Sequence, residues 1–304
     1  KAVALCSYID KNVNKPVYIW GETVYGACYT LPKNEEVLIL HFGHSSMDYG
    51  TDPLYRNVIY VEMRKKPKSV SEIETDLTQK LSELPQNLGL CATIQDLDYI
   101  PLVKSILERN CKKIYIGEKD SRITYSGQVL GCDLYTAHVI REKVEGYLFI
   151  GDGTFHALGI ALSTNKPVYI YNPQSGEIQD IANLKECILK ERYTAIALAK
   201  EAKVFGIIVG TKPNQNRLEL AERLKKLLVK NNRVALIFYF DRVTPEELYG
   251  YSVDCWINTA CPRIAIDDYR KFDKVMITPT EAAILLGTRE MENYLFDEIR
   301  TPLY

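Results

Sequence analysis

The chain has 304 residues, of which 46% are hydrophobic and 25% charged, and its formal net charge is −1. Such a composition suits a globular protein with room for two or three cores, and the balanced charge excludes a general nucleic-acid binder. No apolar run reaches the roughly 18 residues that a spanning helix needs, and no secretory leader is visible. Eight cysteines in a chain this long, with no cysteine-dense module, predict free thiols in a reducing, cytoplasmic setting.

The first stretch predicts a helix over 2–11, a strand over 16–20, then Cys28, and strands over 36–42 and 57–61. No strand precedes the first helix, so one is expected upstream of Lys1; a parallel sheet without it would expose an edge. Residues 62–86 read as a linker. Its lysine-rich start at 64–68 is expected to be solvated, and 69–84 to be helical.

The second stretch is the most regular. A strand over 88–93 leads to an amphipathic helix over 96–110, with Leu97, Ile100, Val103, Ile106 and Leu107 at helical spacing. Asp96 is its expected N-cap and Asn110 its stop. A strand over 113–118 precedes Cys132. A strand over 146–152, a small-residue helix over 154–162 and a strand over 167–171 follow, then a bridging helix over 184–203. The third stretch repeats this order: strand 204–210, helix 217–230, strand 234–240, Cys261 and strand 274–278, with 279–286 after it. Strands alternating with helices predict an α/β protein with parallel sheets. The expected architecture is three related domains, 1–86, 87–200 and 201–304, triplicated with a period of about 100 residues, too long for a solenoid.

Cys28, Cys132 and Cys261 each follow an apolar predicted strand and a polar turn, with a small residue immediately before the thiol. One equivalent cysteine per unit predicts three thiolates at one centre. Ligands of open parallel sheets gather outside the carboxyl ends of the strands, where these thiols are expected. Soft thiolates select zinc, copper(I) or an iron–sulfur cluster. Two readings stay open: a zinc ion with a bound water, or a [4Fe–4S] cluster with one open iron. Three all-thiolate ligands favour the cluster, because catalytic zinc sites use more histidine and carboxylate. Cys6, Cys91, Cys111, Cys187 and Cys255 read as small apolar core residues. His41 and His44 form H-x-x-H at a strand end, where a structural or substrate-binding role is expected.

Five segments carry a resemblance. They are Gly21-Glu-Thr-Val-Tyr-Gly-Ala-Cys28, His41-Phe-Gly-His-Ser45, Gly127-Gln-Val-Leu-Gly-Cys-Asp133, Phe149-Ile-Gly-Asp-Gly-Thr-Phe-His156 and Asn258-Thr-Ala-Cys-Pro-Arg-Ile-Ala-Ile-Asp267. Together, and in this order, they resemble the diphthamide synthase family, the 2-(3-amino-3-carboxypropyl)histidine synthases, across nearly the whole chain.

The resemblance implies three α/β domains that hold one [4Fe–4S] cluster through Cys28, Cys132 and Cys261. It implies S-adenosylmethionine as co-substrate at the open iron. It implies a radical transfer of the 3-amino-3-carboxypropyl group to C2 of a histidine in translation elongation factor 2, leaving methylthioadenosine. The implied partners are that elongation factor, an electron donor protein and a second copy of the chain in a homodimer. Neither a membrane nor a nucleic acid is an expected partner. Within this frame Arg263 is a candidate for the methionyl carboxylate, whose shape its planar fork matches. Gln215 is a candidate for the amino acid or ribose. Gly151, Asp152 and Gly153 form a strand-to-helix turn whose N–H groups are candidates for a polar group of the co-substrate, with His156 nearby. Two other functions compete: a non-catalytic, cluster-bearing subunit of a heterodimer, and a quinolinate-synthase-like dehydratase using the open iron as a Lewis acid.

Overall fold

The computed structural model describes residues 2–28, 36–47, 57–212 and 215–299. Its described strands form three sheets, each with a parallel core. In the first, α1 (Ala2–Asn12) precedes the parallel pair β1 (Ile39–Phe42) and β2 (Val58–Val61). After α2 (Val70–Thr78), the second sheet runs β4-β3-β5-β6-β7. Its members are β3 (Asn87–Ala92), β4 (Lys113–Tyr115), β5 (Gly146–Ile150), β6 (Val168–Asn172) and β7 (Glu177–Asp180), with α3 (Ile100–Arg109), α4 (Tyr135–His138) and α5 (Phe155–Thr164) between them. A long α6 (Ala182–Ala199) leads to the third sheet, ordered β11-β10-β8-β9. It comprises β8 (Val204–Gly210), β9 (Val234–Phe240), β10 (Cys255–Asn258) and β11 (Val275–Ile277), connected through α7 (Leu218–Lys230), α8 (Pro245–Leu248) and α9 (Pro262–Ile266) and followed by α10 (Pro279–Leu285).

The second and third sheets are covered on both faces. One core sets Leu88, Leu90, Leu148 and Ile150 against Val103, Ile106 and Leu107 of α3. On the other face Cys91, Tyr147 and Phe149 meet Ala157, Leu158 and Ala161 of α5. Nine of the ten α5 residues are buried, as expected of a helix apolar all round. In the third sheet Phe205, Ile207 and Val209 meet Ala221, Leu224 and Leu228 of α7. Gly206 is required by close approach: a Cβ there would lie 2.3 Å from the Trp256 ring of the neighbouring β10.

α2 and α10 begin with reciprocal capping boxes, Ser69 with Glu72 and Thr278 with Glu281, each contributing about 1 kcal/mol of helix stability. Glu281 also forms a fully buried ion pair with Arg192 of α6 at 2.6 Å. Arg192 further donates to the carbonyls of Ala265 and Met276, so one side chain joins α6, α9, β11 and α10. Among the described residues no helix is long and apolar enough to cross a membrane.

Several expectations need correction. Residues 16–20 form no strand, and Tyr18, Ile19 and Trp20 are exposed. The 96–110 helix starts late: a 3₁₀ turn covers Ile94–Tyr99, and Asp96 does not cap α3 but is buried beside Lys65. The 64–68 stretch is not solvated; Arg64 pairs with Asp98 at 2.6 Å, Lys65 with Asp96 at 3.0 Å and Lys68 with Asp76 at 3.7 Å. Asp96 and Asp98 of the second unit, with Asp76 of α2, thus collect this cationic run. β7 went unread because Glu177-Ile-Gln-Asp180 is polar; it pairs antiparallel with β6 across a turn closed by Gly176 at φ +77°. β10 also went unread, although its four residues are all buried. Cys111 and Cys187 are exposed and Cys6 is partly exposed, whereas Cys91 and Cys255 are core residues as expected.

Candidate metal centre

The loops carrying Cys28, Cys132 and Cys261 meet at the carboxyl edges of the sheets. Cys261 follows β10 rather than β9. It precedes α9, whose Pro262 supplies the preset φ of a first helical residue. The Asn258 side chain donates to the Cys261 carbonyl at 2.7 Å and accepts from the Ala260 N–H at 3.0 Å, fixing this turn. Cys132 follows a segment that bridges to the end of β3 at Ala92 and Gln128. Gly131 before it is dictated by packing, because a Cβ there would lie 2.5 Å from the Phe155 ring. Cys28 lies on a loop whose Tyr25 carbonyl accepts from His44, at the end of β1.

All three thiols are partly exposed, yet burial dominates their acidity. It pushes Cys132 up to about 11 and Cys261 up to about 12, and raises Cys28. The thiols also act on one another. Negative charge on Cys28 raises Cys132, and charge on Cys132 and Cys28 raises Cys261. Such groups stay protonated at neutral pH unless a cation joins them. Among the described residues, no three histidine, cysteine, aspartate or glutamate side chains stand close enough to hold a single metal ion.

Hydrogen-bond donors and cations flank the thiols. Gln215 Nε2 donates to Cys28 Sγ at 3.1 Å. Lys212, buried on the same loop after β8, is held by Asp241 at 3.2 Å, and its charge favours the Cys28 thiolate. Arg122 Nη2 donates to Cys132 Sγ at 3.5 Å while Nη1 pairs with Asp133 at 3.2 Å. The Arg263 backbone N–H favours the Cys261 thiolate.

The remaining sequence candidates divide. The Arg263 guanidinium is 54% exposed, lies over the Phe155 ring and pairs with Asp267 at 3.2 Å. His156 stacks on Phe149, and burial followed by the Arg263 charge lowers it to about 4, so it is neutral at pH 7. Asp152 is exposed and 3.7 Å from Lys65. Gly151 donates its N–H to Tyr171, so that donor is already used, while Gly153 at φ +83° meets nothing nearby. His41 and His44 hydrogen-bond each other at 3.0 Å, and burial, then His44, lowers His41 to about 4.

A brace unread in the sequence ties two of the loops together. Arg217 grips Asp297 with both ends of its fork, at 2.9 and 2.7 Å, and donates to the Thr259 carbonyl at 2.6 Å. Next along the chain, Glu298 accepts from the Leu134 N–H at 2.7 Å and bonds His138 at 2.6 Å. Ile299 then donates its N–H to the Cys132 carbonyl at 3.0 Å. Residues 297–299 therefore join the segment before Cys261 to Cys132 itself. Neither Arg122 nor this brace carries a periodic or motif signal.

Comparison with known proteins bears on this centre. The chain is 35% identical to the 2-(3-amino-3-carboxypropyl)histidine synthase of Pyrococcus horikoshii, over 98% of this chain and 85% of that protein. It is 30% identical to the protein of the same name from Methanocaldococcus jannaschii, over 96% of this chain and 80% of that one. The fold matches the crystal structure of Dph2 from Pyrococcus horikoshii with a 4Fe-4S cluster at a TM-score of 0.87 and 36% identity, covering 98% of this chain and 85% of that one. The family model for diphthamide synthesis proteins matches residues 1–295, and the chain therefore belongs to the diphthamide synthesis protein family.

Proposed function

We propose that this chain is an S-adenosylmethionine-dependent transferase. It would move a 3-amino-3-carboxypropyl group to C2 of a histidine in translation elongation factor 2 and release methylthioadenosine. The observation that carries this reading is three cysteines on three separate loops, near enough that charge on Cys28 raises Cys132 and charge on both raises Cys261, in a chain matched over nearly its whole length by named synthases. Support also comes from the names of the relatives and from the cluster in the related crystal structure.

The donor set fits a [4Fe–4S] cluster. Three soft thiols on three separate loops suit a cluster, which takes each thiolate on a different iron. Cys28, Cys132 and Cys261 would be its ligands, one from each of the units 1–86, 87–200 and 201–304. When bound, the cluster supplies one electron to the sulfonium so that the bond from sulfur to Cγ breaks. The protein's task is orientation, since S-adenosylmethionine has three C–S bonds and only one must face the electron source. Arg263 would turn from Asp267 to the methionyl carboxylate. Gln215, His156 and the turn at Gly151, Asp152 and Gly153 would line the rest of the co-substrate. Neutral His156 would offer a hydrogen bond without repelling the sulfonium. The chain would work in the cytoplasm as a homodimer, drawing electrons from a donor protein.

The test is anaerobic. The chain is reconstituted with iron and sulfide, reduced with dithionite, and given S-adenosylmethionine with and without elongation factor 2. Methylthioadenosine and a histidine heavier by the aminocarboxypropyl group are expected. No cleavage by a fully loaded, reduced protein would sink the proposal. Alanine in place of Cys28, Cys132 or Cys261 is expected to cost the cluster; a full cluster after one replacement removes that residue from the ligand set.

A further inference from the structure

Arg122 is a buried cation with an unusual set of contacts. Its side chain is 5% exposed. One nitrogen pairs with Asp133 at 3.2 Å and another donates to Cys132 Sγ at 3.5 Å. Its Nε has no hydrogen-bond partner among the described residues. Its charge acts on Cys28 as well as on Cys132, so it serves two of the three thiols. The loop carrying it is fixed locally: the N–H groups of Arg122 and Ile123 donate to the Asp120 carboxylate at 2.8 and 3.1 Å, and Thr124 donates to the Ser46 carbonyl at 2.8 Å.

A guanidinium buried at this point has a desolvation cost that a purely structural pair with Asp133 does not obviously repay. It makes sense if negative charge builds up beside it. A cluster that accepts an electron becomes more negative by one charge. A nearby cation and an N–H···S bond stabilise the reduced form more than the oxidised one. We propose that Arg122 is a positioning residue that holds the Cys132 thiolate and raises the reduction potential of the bound cluster. Asp133 opposes it, as the countercharge that limits the rise. The proposal rests on the ligand reading given above.

The experiment compares the wild-type chain with Arg122→Gln, Arg122→Lys and Asp133→Asn, each loaded anaerobically. Iron content and a redox titration followed by electron paramagnetic resonance are the readouts. For Arg122→Gln the ratio of reduced to oxidised cluster at a fixed potential should fall at least about tenfold, which is about 59 mV for one electron. Arg122→Lys keeps the charge and should shift less in the same direction. Asp133→Asn should shift the potential the opposite way. A wild-type midpoint in fully loaded Arg122→Gln, or a shift of Asp133→Asn toward harder reduction, overturns the proposal. If Arg122→Gln fails to load, the signs of the Lys and Asn shifts decide it. A full cluster in Cys132→Ala, or none in the wild type, overturns the ligand reading, and this proposal with it.

Discussion

The Cys132 and Cys261 loops share the brace at Asp297–Ile299, whereas the Cys28 loop meets the centre through Gln215 and the contact of His44 with Tyr25. The surroundings differ in the same sense. The second and third sheets are packed on both faces, and the fully buried Arg192 and Glu281 lock helices to strands. In the first unit α1 buries no residue, and Leu38, Leu40, Phe42 and Ile59 are exposed around its two described strands. Two thiols thus sit beside a shared, densely bonded frame, whereas among the described residues the third takes a side-chain hydrogen bond from Gln215.

The comparison can be broken at its strongest point first. Arg192→Ala leaves Glu281 buried and unpaired and should cost about 3–5 kcal/mol in urea unfolding. A loss below about 1 kcal/mol would show that the frame does not depend on this pair. Asp297→Ala should cost somewhat less, about 3 kcal/mol, because Arg217 keeps its bond to Thr259. Its sharper readout is alkylation of the cluster-free protein mapped by mass spectrometry. Cys132 and Cys261 should react faster while Cys28 keeps its rate; equal acceleration of all three would erase the distinction between the loops.

Acid should loosen both regions. His41 and His156 each fall to about 4 in the fold, below the ordinary 6.5 of the unfolded chain. Their contribution is present above about pH 6.5 and is lost as pH falls toward 4, about 1–2 kcal/mol per histidine by pH 5. His156→Phe and His41→Phe should each flatten the stability curve between pH 6.5 and 5, and an unchanged slope would rule out that histidine. The smallest effect belongs to Gln215→Ala. It should cost under about 1 kcal/mol and, by removing a donor that favours the Cys28 thiolate, slow alkylation of Cys28 alone.

The order of strands and helices was legible in the second and third units, where periodicity and buried runs agree. The family was legible because five segments along the chain each carry a local motif. What escaped had a physical reason. β7 is polar because it is an edge strand with little to bury. Residues 16–20 look like a strand by composition but have no partner strand among the described residues. Asp96 looks like a cap by position, yet Lys65 recruits it across the unit boundary. Arg122, Arg217 and the brace act through contacts between residues distant in sequence, which a reading of neighbours does not contain.

The brace also has a consequence in time. Residues 297–299 follow all three cysteines along the chain, so they leave the ribosome after them. The Cys132 and Cys261 loops exist before the segment that spaces them does. The tie between these two loops is therefore made only after synthesis has passed residue 299, and metal delivered earlier would meet loops not yet joined.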